Sequence, residues 1–277
     1  MNRVLLIIAK IINNVFGYSM GKYRYFKSWK YIHTISLMGI GRIQGNPIGK
    51  SGELDVLKKI IRSSDNRTVI LDVGANKGQY TEAALSMKEP GKKLEIHLFE
   101  PSAINVGILK EKFNDASCDG NIFIINELAL SDKAETSYLY TDEEGSDLGS
   151  LLQLKIPIRP FDDAKKESIQ TITLDEYFSR HRLESVDLLK IDVEGGEYMV
   201  LSGAKKVLRE RRIKNIQFEF GAGNITSRIF FHDFWEMLSE WYHFSLVLEG
   251  GTVPVEKYST DWEIFRTVNY LLTLKES

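Results

Sequence analysis

The segment DLLKIDVEGG, residues 187–196, places Lys190, Asp192 and Glu194 at every second position where an apolar run gives way to two glycines. Alternate residues of a strand share a face, so one cation and two carboxylates emerge together from a hydrophobic layer. Such charges serve either a ligand or one another. Glu219, near the end of NIQFEFG, adds a carboxylate on another apolar run. A second constellation is DVGANKGQY, in which Asp72 is followed by a turn containing Gly74, Asn76 and Gly78. Glycine lets a backbone approach a ligand closely and adopt dihedrals closed to other residues. The spacing is neither the G-x-G-x-x-G of dinucleotide sites nor the G-x-x-x-x-G-K-[ST] of phosphate loops, so pyrophosphate binding is not the favoured use. Glu100, 28 residues after Asp72 at the end of LEIHLFEP, is placed to accept hydrogen bonds from both hydroxyls of a ribose.

The elements that must position these groups alternate. TVILDVG, LEIHLFEP, NIFIINELAL, VDLLKID and NIQFEFG read as strands. Between them lie helix-like stretches: GQYTEAALSM, a run from Pro101 and Ser102 toward Phe113, and TLDEYFSRH with Thr173 as its cap. EYMVLSGAKKVLRERR reads as one further helix with Val200, Leu201, Ala204, Val207 and Leu208 inward. FSLVLEG and EIFRTVNYLLTL close the sheet after the helix RIFFHDFWEMLSEW. SDKAETSYLYT reads as a hairpin excursion, and the polar residues 141–168, with Gly145, Gly149, Pro157 and Pro160, as a mobile loop covering some part of the protein. The pattern implies an α/β, Rossmann-like, mostly parallel sheet with helices on both faces, whose ligands bind beyond the carboxyl ends of the strands.

The charge distribution divides the chain. Residues 1–50 hold Arg3, Lys10, Lys22, Arg24, Lys27, Lys30, Arg42 and Lys50 and no acid, leaving 28 basic against 38 acidic residues in 51–277. We read 1–50 as a basic amphipathic arm and 51–277 as the main domain. MNRVLLIIAKIINNVF is too short and interrupted to span a bilayer, but as a helix it sets Val4, Ile8, Ile11, Ile12 and Val15 opposite Arg3, Lys10 and Asn14. Basic and aromatic residues alternate in YRYFKSWKYIH, which suits peripheral contact of residues 1–30 with an anionic membrane. Packing of the arm on the protein's own core is the plain alternative, and the acidic main domain makes nucleic acid an unfavourable partner. The single Cys118 provides no disulfide framework, so the cytoplasm, with the inner face of the cell membrane as a peripheral site, is the expected location.

DVGANKGQY, LFEPS, ALSD and DLLKIDVEGGEYMVLSGA together resemble the FkbM family of S-adenosylmethionine-dependent methyltransferases, within the class I methyltransferase fold. The resemblance spans about residues 53–273 and implies a seven-stranded sheet with its last strand antiparallel. It further implies that Asp72, Gly74, Asn76 and Gly78 surround the methionine part of S-adenosylmethionine, that Glu100 holds the ribose, and that Ala129 and Leu130 flank the adenine. Members of the family commonly methylate hydroxyl groups, many on bacterial glycans, which makes a saccharide or glycolipid the expected acceptor and polysaccharide biosynthesis the expected setting.

Methyl transfer to a hydroxyl requires alignment and removal of a proton. Two arrangements of the carboxylates provide the second. Asp192 can act as general base, with Lys190 orienting it or stabilising the oxyanion; alternatively Asp192, Glu219 and Glu194 can hold Mg²⁺, which lowers the hydroxyl pKa. No Asp-Asn pair follows the fifth strand to complete a ligand set, which favours the direct base and keeps Asp192, Lys190 and Glu219 as the catalytic candidates. Structural uses compete: Lys190 as a buried ion pair, Glu194 and Glu197 as partners of a helix N-terminus. Two other functions fit the sheet, a nicotinamide-dependent oxidoreductase, which the missing G-x-G-x-x-G disfavours, and a non-catalytic membrane-associated scaffold.

Overall fold

The computed structural model describes residues 3–42, 51–113, 120–142, 146, 149–156, 159–160 and 165–276. The chain separates into two compact units, residues 1–43 and 44–277. The smaller contains helices α1 (Arg3–Phe16) and α2 (Phe26–Gly39).

The larger unit begins with α3 (Glu53–Ser63), β1 (Arg67–Val73), α4 (Gln79–Met87), β2 (Lys93–Phe99), α5 (Ala103–Phe113) and β3 (Ile122–Asn126). An inserted region follows: β4 (Ala129–Leu130), β5 (Thr136–Thr141), the two-residue strands β6 (Gly149–Ser150), β7 (Lys155–Ile156) and β8 (Arg159–Pro160), and β9 (Lys165–Ile172). The chain then forms α6 (Leu174–His181), β10 (Leu188–Ile191), α7 (Glu197–Ser202), α8 (Lys205–Arg209), β11 (Asn215–Phe220), α9 (Gly223–Ser227), α10 (Phe231–Leu238), β12 (Tyr242–Leu248), β13 (Gly251–Val255) and β14 (Val268–Leu274).

The main sheet runs β13-β12-β14-β11-β10-β1-β2-β3. It has eight strands where the resemblance implied seven. The addition is the edge strand β13, which turns back at Gly250 and pairs antiparallel with β12. Pro254 is tolerated in it because an edge strand has one unpaired side. β14 is antiparallel to both β11 and β12, as expected of the last strand. Ile70 and Leu71 of β1 belong to different hydrophobic clusters, one with Leu57, Ile61 and Leu109, the other with Val200, Phe218 and Phe234, so the sheet is covered on both faces. Burial of these alternating side chains is the main favourable term holding the layers together.

Two expectations about connections change. The stretch after the fourth strand forms α7 and α8 rather than one helix. It breaks at Gly203, where a Cβ would sit 2.1 Å from the Ser131 carbonyl oxygen; the backbone beside β4 is too close for a continuous regular helix with side chains. Its inward residues Val200, Leu201, Ala204, Val207 and Leu208 are nevertheless all buried. Described residues of the stretch 141–168 join a small sheet: β9 pairs antiparallel with β5 from Thr136–Gln170 to Thr141–Lys165, and β6 pairs with β5. Gly145 and Pro157, which suggested a loop there, lie outside the described residues. Thr173 caps α6 as expected, its hydroxyl accepting the Glu176 N–H at 3.1 Å.

Candidate active site

Strand order reverses between β1 and β10: the chain moves from β1 toward β2 and β3 on one side, and from β10 toward β11 on the other. Such a reversal splays the following loops apart and opens a crevice at the carboxyl ends. A cavity of about 340 Å³ lies there.

Close backbone packing shapes its first wall. Gly74 and Ala75 both donate to the Phe99 carbonyl at 3.0 Å, and Asp192 N–H donates to the Val73 carbonyl at 3.0 Å. Gly74 has φ +81, and a Cβ on it would lie 1.9 Å from the Asp192 carbonyl oxygen, so no side chain fits. Asn76 also lies in the left-handed region, with φ 52, a conformation Asn adopts more readily than most residues. Its N–H donates to Glu100 Oε2 at 2.9 Å, while Ser102 N–H donates to Glu100 Oε1 at 3.0 Å. Burial raises the Glu100 carboxyl above its ordinary pKa, and these N–H donors oppose that shift. The Asn105 side chain is a third partner of this carboxylate, whose oxygens keep lone-pair capacity for a ligand hydroxyl.

Gly74, Asn76, Glu100, Ala129, Leu130, Lys190, Asp192 and Glu194 all line the cavity, with Phe99 and Tyr80 adding aromatic surface. From the inserted region come Leu139, Thr141, Ser146, Gly149 and Leu151. Three expected residues are not among the lining. Asp72 is fully buried beneath it, accepting the Thr81 hydroxyl at 2.9 Å. Gly78 starts α4 with φ +85, and a Cβ there would meet Phe113 and Leu109 at 2.6 and 2.9 Å, so its smallness serves packing. Glu219 lies on β11, where burial, with the negative charges of Asp192, Glu194, Glu197 and Glu53 adding, pushes its carboxyl well above the ordinary range. Among the described residues no three His, Cys, Asp or Glu side chains are arranged to hold a metal ion, so Asp192, Glu194 and Glu219 do not assemble as the Mg²⁺ set. The Asp192 carboxylate is instead engaged with Lys190, Nζ to Oδ2 3.1 Å.

Sheet register explains Lys190. Asp72, Lys190 and Gln217 are neighbours across β1, β10 and β11, facing the same side. Glu53 at the start of α3 reaches this row, accepting from Gln217 at 2.9 Å and from the Ser51 hydroxyl at 2.6 Å. Tyr80 presents its ring 5.0 Å from Lys190 Nζ. Burial alone would lower the lysine pKa, but the charges of Asp192, Asp72 and Glu53 outweigh it and hold the ammonium protonated. One ammonium cannot compensate three carboxylates, so burial still raises both Asp72 and Glu53. Glu53, Tyr80 and Gln217 carried no sequence signal: each is a polar residue in an ordinary amphipathic context that only the packing of α3 and α4 on the sheet brings to Lys190.

Replacing Lys190 by Met is expected to destabilise the fold by about 3–5 kcal/mol, the usual cost of leaving buried charges without their partner. Asp192 contributes little of this, since its side chain is 43% exposed and water screens the pair. Without the ammonium the folded-state pKa values of Asp72 and Glu53 rise further. An acid raised in the folded state loses stability as pH climbs from its unfolded value through its folded one, so the variant's deficit grows from pH 5 to pH 8. Urea unfolding at both pH values measures it; an equal deficit at each would assign the effect to packing.

The loop after β10 is fixed from three sides. Glu194 has φ 52, unusual for a long side chain, and such strain persists only where the surroundings enforce it. Ser150 Oγ donates to the Glu194 carbonyl at 2.9 Å, tying the inserted region to this loop. Glu197 Oε1 accepts from Val193 N–H at 3.2 Å and Gly195 N–H at 3.0 Å. Gly195 has φ +99 and packs on the backbone of Gly223, where a Cβ would lie 2.8 Å from its carbonyl carbon. Glu197 is thus a buried loop anchor, and burial raises its pKa to about 7.

The strand order, the glycine turn after β1 and the acid ending β2 define a class I methyltransferase. The chain belongs to the FkbM methyltransferase family: residues 72–245 match the model of the methyltransferase FkbM domain. It is 27% identical over 153 residues to the 2-O-methyltransferase NoeI of Sinorhizobium fredii (strain NBRC 101917 / NGR234), a match covering 52% of this chain and 60% of that protein. Similar solved structures include methyltransferase FkbM from Methylobacillus flagellatus KT, with TM-score 0.45 and 14% identity over 74% of this chain and 44% of that one. Another is a SAM-dependent methyltransferase from Agrobacterium tumefaciens, with TM-score 0.43 and 11% identity over 81% of this chain and 61% of that one. Family membership sets aside the oxidoreductase reading.

Proposed function

We propose that residues 51–277 form a methyltransferase domain that transfers a methyl group from S-adenosylmethionine to a hydroxyl of a saccharide or glycan precursor. The observation that carries this reading is the cavity at the strand reversal, with side-chain-free backbone at Gly74, a carboxylate at Glu100 and two carboxylates, Asp192 and Glu194, on its β10 side. These residues fit the donor. Glu100 suits ribose hydroxyls, Phe99, Ala129 and Leu130 offer apolar surface for a base, and Gly74 and Asn76 shape the path for the amino acid part. Asp72 and Gly78 act from behind, one by pairing with Lys190 and Thr81, the other by letting α4 pack. The donor supplies an electrophilic methyl carbon on a positively charged sulfur.

Asp192, the exposed carboxylate of the pair with Lys190, accepts the acceptor's hydroxyl proton as oxygen attacks the methyl carbon and the carbon–sulfur electrons return to sulfur. Lys190 holds the carboxylate in place, and Glu219 adds negative charge behind it. A carboxylate-bound Mg²⁺ is the weaker variant of this scheme, since the described carboxylates do not converge on a metal position. The acidic wall and the net negative charge of residues 51–277 favour an uncharged, hydroxyl-bearing acceptor over a polyanion. NoeI, by its name a 2-O-methyltransferase, supports oxygen as the atom methylated. The setting we propose is cytoplasmic polysaccharide biosynthesis.

The deciding experiment incubates the protein with isotopically labelled S-adenosylmethionine and a panel of bacterial glycans and glycolipid precursors, with mass spectrometry of the products. A labelled methyl ether on a sugar is the expected result. Label appearing on nitrogen, carbon or a non-carbohydrate acceptor overturns the assignment of acceptor but not of enzyme class.

A further inference from the structure

Residues 6–40 contain no buried side chain among those described. Among the described residues most exposed large apolar side chains lie there; the others are Ile104, Ile122, Tyr138, Ile225, Phe230 and Val253, and they are scattered. Isolated exposed apolar residues are normal, whereas a contiguous set marks an interaction surface.

On α1, Ile7, Ile11 and Val15 succeed one another at i+4, with Ile12 and Phe16 beside them, Lys10 and Asn14 at the polar border of this face and Asn13 on the other side. The segment joining α1 to α2 is organised by aromatic contacts. Phe16 and Trp29 meet edge to face with ring centroids 5.7 Å apart, Trp29 Nε1 donates to Ser19 Oγ at 3.2 Å, and Lys22 Nζ lies 3.4 Å from the Tyr18 ring centroid. Arg24 lies 5.9 Å from the Tyr25 ring centroid, and with Lys22, Lys27 and Lys30 it makes this stretch strongly basic in a unit, residues 1–43, that contains no acid.

We propose that α1 and α2 form a peripheral anchor that lies in the interface of an anionic lipid bilayer, with the Ile7–Ile11–Val15 face sunk among acyl chains and the basic residues at the phosphates. A helix of 14 residues is about 21 Å long, shorter than the roughly 30 Å hydrocarbon core, which suits lying in the interface rather than crossing it. No helix of the described residues is long and apolar enough to cross a membrane. Charge and apolarity together select lipid over a second copy of the chain. Arm against arm would oppose two sets of basic residues, and the described residues of the acidic larger unit expose scattered apolar side chains rather than a contiguous set. An anionic bilayer complements both features at once.

The test is flotation of the full-length protein with vesicles of phosphatidylcholine alone and of phosphatidylcholine with phosphatidylglycerol at a roughly two-to-one ratio. Binding is expected only to the anionic vesicles, weakening as salt rises, with a blue shift in fluorescence that is missing from the Trp29→Phe variant. The double variant Ile11→Asp with Val15→Asp, and the triple variant Lys22→Glu, Lys27→Glu and Lys30→Glu, should each bind at least about tenfold more weakly with unchanged thermal unfolding of the larger unit. Absence of vesicle binding, or equal binding by the variants, overturns the proposal. So does a lipid-free dimer, seen by light scattering, that the double variant converts to monomer, since the apolar face would then belong to a second copy. None of these readouts depends on the acceptor or on methyl transfer.

Discussion

Asp192→Asn is expected to lower kcat by about two to four orders of magnitude, the range for loss of a positioned general base. Its dissociation constant for S-adenosylmethionine should stay within about threefold of the native value, because Asn retains an oxygen that can accept from Lys190 and the backbone bond to Val73 is untouched. The separation of effects is the point. Asp192 is the carboxylate of this site that combines substantial exposure to the cavity with a fixed cationic partner. Single-turnover transfer to the acceptor found in the glycan screen, together with calorimetry of donor binding, measures both quantities. If kcat falls less than about fivefold, proton removal lies elsewhere and Asp192 serves the ion pair alone.

Glu100→Ala is expected to weaken binding of S-adenosylhomocysteine by roughly 30- to 700-fold, or about 2–4 kcal/mol, from loss of charge-assisted hydrogen bonds worth about 1.5–3 kcal/mol each. Part of that loss is indirect. Glu100 also accepts the N–H groups of Asn76 and Ser102, so truncation leaves two backbone donors without their acceptor and loosens the turn that shapes the cavity. Glu100→Gln keeps an acceptor oxygen and the side-chain length, and should lose only about tenfold. Calorimetry on the two variants separates the roles: equal losses would mean that charge, rather than support of the turn, dominates. Undiminished binding in both would remove Glu100 from the donor site.

Much of the site was legible because strands and helices announce themselves locally. The strand runs ending in Val73 and Ile191 are mainly apolar, as parallel strands buried on both faces tend to be, and the run ending in Phe99 alternates Leu94, Ile96 and Leu98 with Glu95 and His97. Their polar successors therefore mark the sheet edge before any coordinates are known. The inserted region was less legible. β9 contains KKESIQTI, whose partner β5 lies more than twenty residues earlier, and neither segment carries a turn signal naming the other. A non-local pairing of polar, half-exposed strands leaves little trace in the periodicity. The eighth strand escaped for a similar reason, because an edge strand with four exposed residues has little apolar pattern to show.

For Asp72 and Gly78 the residue types were informative and the roles were not. An acid and a glycine beside a ligand turn look alike in sequence whether they touch the ligand or stand behind it. The sheet register puts Asp72 against Lys190, and the approach of α5 puts Phe113 against Gly78.

The sequence alone determined the alternation of elements, the glycine turn, the acidic strand ends and the division between a basic first fifth and an acidic remainder, since each follows from local periodicity and charge. Tertiary structure alone decided that Lys190 is shared by Asp192, Asp72 and Glu53, and that Glu194 is clamped by Ser150 and Glu197. It also decided that three carboxylates do not meet at a metal position. Those facts depend on distances between residues far apart in the chain, and burial makes their energies large: a charge removed from water responds to whichever partner the fold brings within a few ångströms.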